Sequence, residues 1–181
     1  KITGSVYNNM GVLLTVNGEQ ELSAENTNGI DTEGKGSNVN FRNLKSLTAS
    51  SDGGDINGIY ADSESSVDVA MSGKIKVDNA NGNAHGIYAS DGSTAKVSGA
   101  TDISVTANNP AYYDDGLSSI SATYGGDVDV TMSGKISAGA GGSYVRANGV
   151  EAQEGSYVKI SGATGISATG LNASDDDYSD A

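Results

Sequence analysis

The sequence contains no cysteine, no tryptophan, one proline and one phenylalanine. Without cysteine, neither a disulfide framework nor a thiolate metal site is open to this chain. Basic residues are also scarce, with 10 Lys and Arg against 23 Asp and Glu and a net charge of −13. Because an acidic surface repels phosphate backbones, we expect no nucleic-acid partner. No long apolar run is present, so we expect no direct insertion into a membrane.

Hydrophobic residues make up only 36% of the 181 residues, and 26 residues are glycine. This is a low apolar content for a globule with one large central core. A disordered chain would have few β-branched residues and no regular spacing of its apolar residues. This chain has many β-branched residues, and its apolar residues are regularly spaced. A repeat protein reconciles the two facts, because each repeat needs only a narrow apolar strip.

Near-copies of two segments reveal the repeat. The sequence GIYADSESSVDVAMSGKIKV at 58–77 matches SISATYGGDVDVTMSGKISA at 119–138, and AKVSGATDISV at 95–105 matches VKISGATGISA at 158–168. Aligned together, they give a template with an apolar residue at its start and further apolar residues 8, 10, 16 and 18 positions later. Six units fit this template, one of them with a single extra residue, and they start near residues 6, 30, 59, 87, 120 and 150.

Within each unit the apolar residues come in pairs two positions apart, which is the period of a β-strand. Glycine, Ser, Asn and Asp separate the pairs and suit tight turns. Three short strands per unit, each pairing with its copy in the next unit, predict an all-β fold, a parallel β-helix of six coils over residues 1–171. We expect right-handed winding from the crossover rule for parallel strands. An antiparallel β-sandwich is the alternative.

The predicted register places the outward residues of neighbouring coils side by side. In the second strand, Asp68, Lys96, Asp129 and Lys159 alternate in sign, so that each charge faces opposite charges. Lys74, Asp102 and Lys135 do the same just before the third strand. We interpret these rows as devices for register and solubility. In the first strand, Tyr60 and Tyr88 are predicted to stack, either as simple aromatic packing or as a contact for a sugar or peptide.

One corner of the coil varies in length, and its loops form the predicted binding edge. The longest loop covers residues 106–119, and the next variable loop follows residue 138. The candidate binding residues in these two loops are Pro110, Tyr112, Tyr113, Asp114, Asp115, Tyr144 and Arg146. Asp114 and Asp115 are also weak candidates for holding Ca²⁺, as are Asp52 and Asp55 at the same corner. No other cofactor or metal is expected, and a solvated loop without a ligand is the alternative interpretation.

Catalytic residues are not predicted. Asp31 and Glu151 occupy the same outward position but lie four coils apart, too far to act as a carboxylate pair. His85, the single histidine, is expected to be a surface residue of the loop that also contains Asp78. Residues 172–181 break the template and read as an acidic tail or linker.

The GIYA segments at 58–61 and 86–89, together with MSGKI at 71–75 and 132–136 and SGATxI at 98–103 and 161–166, resemble the passenger domains of bacterial autotransporters and related β-helical surface adhesins. The resemblance covers about residues 5–170. It implies an extracellular location on the bacterial cell surface and a role in adhesion or aggregation. Many members of that family continue into an outer-membrane barrel, which this sequence does not contain, and the family supplies no shared catalytic residues.

Three functions follow as hypotheses. The first is a non-enzymatic structural or adhesive β-helix that binds a host or bacterial surface protein or a glycan. The second is a subunit that self-associates end to end or laterally into an extracellular filament or coat, because the strand edges at the ends of a β-helix favour further pairing. The third is a glycan-degrading β-helix enzyme.

Overall fold

The structure, a computed structural model, describes residues 1–108, 116–141 and 147–170. This part of the chain contains eighteen β-strands that pair in parallel. The all-β parallel β-helix predicted from the sequence is confirmed, with six stacked coils that span about five turns. None of the described residues forms a helix long and apolar enough to cross a membrane.

The first strands of the six coils form one parallel sheet, here named the first-strand sheet. Its members are β2 (Val6–Asn8), β5 (Ile30–Glu33), β7 (Ile56–Asp62), β10 (Ala84–Ala89), β13 (Leu117–Ala122) and β16 (Ala147–Ala152). Each of them pairs with the copy in the next coil, so that residues about thirty positions apart in sequence become direct neighbours.

The second and third strands of each coil belong to a single twelve-stranded sheet. The second strands are β3 (Leu13–Val16), β8 (Ser66–Met71), β11 (Thr94–Ala100), β14 (Asp127–Met132) and β17 (Tyr157–Ser161). The third strands are β1 (Ile2–Thr3), β4 (Gln20–Glu25), β9 (Lys74–Asn79), β12 (Asp102–Asn108), β15 (Lys135–Gly141) and β18 (Gly165–Gly170). In the second coil, β6 (Asn38–Ser51) runs through the corner without interruption and joins the two series.

The predicted register is confirmed in every inward column. For example, Ile59 pairs with Ile87 and Ile87 with Ile120, while Val67 pairs with Ala95 in the next face. The inward residues of the middle coils are fully buried and form one continuous core. The core is thus a narrow, continuous strip built from apolar columns, which explains how a chain with few hydrophobic residues folds.

The outward charges also lie in the predicted register. Lys96 is the Cα partner of both Asp68 and Asp129, and Lys159 is the partner of Asp129. The Lys159 ammonium lies 3.5 Å from the Asp129 carboxylate, and the Lys74 ammonium lies 3.1 Å from the Asp102 carboxylate. These side chains are exposed, so each pair stabilises the fold only weakly.

Replacing Lys96 with glutamate would place three carboxylates in a row across three coils. We expect the free energy of unfolding to fall by about 1 kcal/mol at low ionic strength, with much of the loss recovered in concentrated salt. Urea unfolding at two salt concentrations measures this. The double variant Lys96→Glu with Asp68→Lys should regain part of the lost free energy of unfolding. If the double variant were as destabilised as the single variant Lys96→Glu, the register would be contradicted.

Candidate functional site

The outer face of the first-strand sheet carries two stacked tyrosines. Tyr60 and Tyr88 are register partners, and their rings lie 5.6 Å apart between centroids with an angle of 9° between planes. The stacking predicted from the sequence is confirmed. The same column continues through Ser121 to Glu151 in the following coils. This face therefore combines an aromatic pair with polar neighbours.

His85 lies in strand β10 and not in a surface loop, so the expectation from the sequence was wrong. Its side chain is buried, with 6% of the residue exposed, and its ring centroid lies 5.1 Å from that of Tyr88. It pairs in register with Asn57 on one side and Ser118 on the other. A second polar column therefore runs beside the tyrosine column.

A glycine explains how these two columns share one face. Strict alternation would place His85 and Tyr88, three residues apart, on opposite faces of the strand. Gly86 lies between them, and a Cβ on it would be 2.5 Å from the carbonyl oxygen of Ser119 and 2.8 Å from Ile103 Cγ2. Gly58 has the same surroundings in the coil before. The Gly of each GIYA segment is thus required because any larger residue would collide with the next coil and with the core.

The polar column, the tyrosines and the adjacent corner enclose a groove of about 410 Å³, here named the tyrosine groove. Its lining residues come from three successive coils and are Asn28, Glu33, Asp55, Asn57, Tyr60, Asn83, His85 and Tyr88. At a strand spacing of about 4.8 Å, three coils extend the groove by roughly 10 Å along the helix axis.

Hydrogen bonds between coils hold the corner of the groove in place. The Asn28 side-chain oxygen accepts from the Asn57 backbone N–H at 2.8 Å and from the Asn57 amide nitrogen at 3.1 Å. The Asn28 amide nitrogen donates to Asp31 at 2.9 Å. Asp55 accepts from the backbone N–H of Asn83 at 3.0 Å. The lining is therefore ordered by the fold itself, as a preformed binding site requires.

Burial dominates the electrostatics of this face. It lowers the pKa of His85 to about 4, although the charges of Glu151 and Asp55 act in the opposite direction. It also raises the pKa of Tyr60, an effect to which Asp62 and Glu33 contribute. At neutral pH the His85 ring is therefore uncharged and the Tyr60 phenol keeps its proton. Among the described residues, no Lys or Arg lines the groove.

Glu151 is enclosed by donors at the other end of the same face. One of its carboxylate oxygens accepts from the Ser118 hydroxyl and from the Asn148 amide, both at 2.9 Å. The register separates Glu151 from Asp31 by four coils, or roughly 19 Å. As predicted from the spacing, these two carboxylates do not form a pair.

The predicted binding edge lies outside the described residues. This applies to Pro110, Tyr112, Tyr113, Asp114, Asp115, Tyr144 and Arg146, so their roles and the Ca²⁺ site at Asp114 and Asp115 stay predictions. Within the described ranges, no three His, Asp or Glu side chains are grouped closely enough to hold a metal ion. Asp78 belongs to strand β9, where it accepts from the Thr106 hydroxyl at 2.6 Å and pairs with Lys76.

Comparison of the chain with protein-family models, with curated proteins and with solved structures gave no match. The function is therefore argued from the geometry of the fold and of the tyrosine groove.

Proposed function

We propose that this chain is a non-enzymatic adhesive β-helix of the bacterial cell surface. The observation that carries the proposal is the tyrosine groove, an ordered concave surface with two stacked aromatic rings on the outside of a rigid rod. Half-buried aromatic rings fixed on strands are suited to binding, because little side-chain freedom is lost when a ligand docks. A solenoid also repeats its outer face along its length, which favours extended ligands.

The carboxylates of this face support binding rather than bond cleavage. Glycosidase chemistry needs two carboxyl groups about 5 to 10 Å apart on either side of a substrate. Glu151 is instead held by Ser118 and Asn148 four coils away from Asp31. Asp31 and Glu151 therefore give no support to the glycan-degrading enzyme considered from the sequence.

Adhesion can be tested by displaying the chain on a non-adherent bacterium and counting the cells retained on epithelial cells or on a bacterial lawn. We expect the displayed chain to raise retention above an empty-display control. Tyr60→Ala should reduce it by about tenfold, which corresponds to the loss of one good aromatic contact. Tyr157→Ala is the matched control, since Tyr157 is exposed on the other sheet. Retention equal to the empty control would refute the adhesive function.

The predicted loop edge provides a second arm of the same experiment. Deletion of residues 109–116 should abolish retention if the variable corner, rather than the tyrosine groove, binds the partner. Circular dichroism should keep its β signature in this variant. The two arms thus assign adhesion to one surface or the other.

Self-stacking into a filament is the second candidate, and the ends of the rod favour it. Two residues of the inward columns in the outermost described coils are exposed, Leu14 by 36% and Ile166 by 55%. Strand β1 argues against self-stacking at the N-terminal coil. Its residues Ile2 and Thr3 already pair with Leu22 and Ser23, so one of the three strand edges there is not available to another subunit.

Light scattering of the purified chain distinguishes the two candidates. A filament subunit should form oligomers whose size grows with concentration, and Ile166→Lys should return them to monomers by placing a charge in the stacking column. A monomer at all concentrations would reject self-stacking and leave the adhesive function standing.

A further inference from the structure

The tyrosine stack leaves one aromatic face available inside the groove. Because the Tyr60 and Tyr88 rings are nearly parallel, one face of Tyr60 covers Tyr88 and its other face points away from Tyr88. The register partner of Tyr60 on that side is Asp31, whose side chain is much shorter. Asn28 and Glu33, in the same coil as Asp31, line the groove together with Tyr60, and this part of the groove is here named the shelf. One oxygen of Glu33 also accepts from the Tyr7 hydroxyl at 3.4 Å.

Polar atoms that can give and receive hydrogen bonds surround the shelf. Glu33 offers carboxylate oxygens, and the Asn28 amide nitrogen has a second hydrogen besides the one bound by Asp31. Asn57 Oδ1 and His85 Nδ1, in the groove wall, and Asp31 Oδ1 beside it are buried and have no hydrogen-bond partner among the described residues. These atoms are closed to solvent, so the groups that a hydroxyl-rich ligand meets in this part of the groove are the Glu33 carboxylate and the Asn28 amide.

The charge of the groove restricts the ligand further. Its ionisable lining consists of Glu33 and Asp55 together with the uncharged His85, and Asp31 and Asp62 lie close to the ring. Uronic acids, sulfated sugars and sialic acids would meet like charges here, with no Lys or Arg of the described part of the chain to receive them. The mixture of amide donors with acceptors also suits hydroxyl groups, which do both, better than ammonium groups, which only donate.

We propose that the tyrosine groove binds a neutral glycan, with one pyranose ring stacked on the face of Tyr60 that points away from Tyr88. Hydroxyls of that ring hydrogen-bond to Glu33 and Asn28, and the chain runs along the helix axis past Asn57 and His85. The groove spans roughly 10 Å, enough for about two sugar units. This inference rests on the proposed adhesive function and names the ligand class of its site.

Calorimetric titration of the purified chain tests the inference. The probes are neutral tetrasaccharides of α- and β-linked glucose, galactose and mannose, with tetragalacturonate and tetralysine as charged comparisons. We expect at least one neutral tetrasaccharide to bind and tetragalacturonate not to bind. Tyr60→Ala should weaken binding by about tenfold or more, whereas Tyr60→Phe should change it by less than about threefold because the aromatic face remains.

Two further measurements locate the site. Glu33→Gln keeps the shape of the groove but weakens one acceptor, and it should reduce affinity by a few-fold; Tyr157→Ala should have no effect. Nuclear magnetic resonance signals of the single histidine should shift on titration with the sugar, since His85 lies in the groove wall.

Absence of binding by every neutral tetrasaccharide, or binding that Tyr60→Ala leaves unchanged, would overturn the glycan assignment. Binding of tetralysine alone would assign the groove to a cationic peptide instead. In both cases the displayed chain could still retain cells, so failure of this inference is distinguishable from failure of the adhesive function.

Discussion

Replacing Gly134 with alanine is expected to lower the free energy of unfolding by about 3 kcal/mol. Gly134 belongs to the corner between the second and third strands of its coil, and a Cβ there would lie 1.8 Å from the backbone oxygen of Thr101 and 2.5 Å from the Asp102 carboxylate. The Thr101 oxygen is backbone of the adjacent coil and cannot rotate away as a side chain would. The two coils would therefore have to separate at this corner, at the cost of the hydrogen bonds that join them.

Urea unfolding followed by circular dichroism measures this loss. Gly139→Ala is the matched control, because Gly139 lies in the third strand of the same coil and its Cβ would find only Thr106 Cγ2, at an ordinary 3.8 Å. We expect the control to change stability by about 0.5 kcal/mol or less. Similar stabilities for the two variants would show that neighbouring coils are not packed as closely as described.

Acidification from pH 7 to pH 4 is expected to remove about 3 kcal/mol of stability through His85 alone. Burial lowers the pKa of this imidazole from 6.5 to about 4. Between these two values the unfolded chain binds a proton that the folded chain does not bind. Stability is therefore complete above pH 6.5, falls as the pH drops through 6 and 5, and has lost this contribution at pH 4.

His85→Asn provides the control for this pH dependence, because it removes the titrating ring while keeping a polar side chain. Its unfolding free energy should be nearly constant from pH 7 to about pH 5. Burial raises the pKa of Asp31, so protonation of this carboxyl favours the folded chain near pH 4 and opposes the effect of His85. Hydrogen bonds from the Lys135 backbone and the Lys74 side chain lower the pKa of Asp102, so its protonation reduces stability only at lower pH. A His85 resonance that titrates near pH 6.5 in the folded chain would refute the burial of this ring.

The sequence contained enough information to predict the fold and its register. Inward residues such as Ile59, Val67 and Ile75 recur at fixed spacing, and the structure stacks them on their predicted partners. The spacing is informative because parallel coils bring identical positions together, so that one column must be apolar along its whole length. The stacking of Tyr60 on Tyr88 followed from the same rule.

The groove could not be predicted in the same way, because its geometry depends on a break in the strand period. Strict alternation would separate His85 from Tyr88, whereas in the structure their rings are in contact, with Gly86 between them in the chain. A signal was nevertheless present. A polar residue precedes the first apolar position by two in five of the six coils, at Asn28, Asn57, His85, Ser118 and Asn148.

The motifs that resemble surface adhesins have a steric explanation in this fold. The glycines of the two MSGKI segments, Gly73 and Gly134, would each bring a Cβ within 2 Å of a carbonyl oxygen in the coil before. Those of the two SGAT segments, Gly99 and Gly162, have positive φ angles of 81° and 79° and lie under methionine carbonyls. These motifs therefore indicate tight corners in a coil, and the proposed adhesive function rests on the groove instead.

The central claim is that each coil lies on its own copy, one strand spacing further along the axis. Since the chain lacks cysteine, spin labels can be attached at cysteines introduced at Thr15, Asn40 and Lys159, all in one outward row. Double electron–electron resonance should give backbone separations of about 24 Å for 15–159 and about 19 Å for 40–159, one strand spacing apart. If the 40–159 distance were not about one strand spacing shorter than the 15–159 distance, as expected for an antiparallel sandwich, the claim would be contradicted.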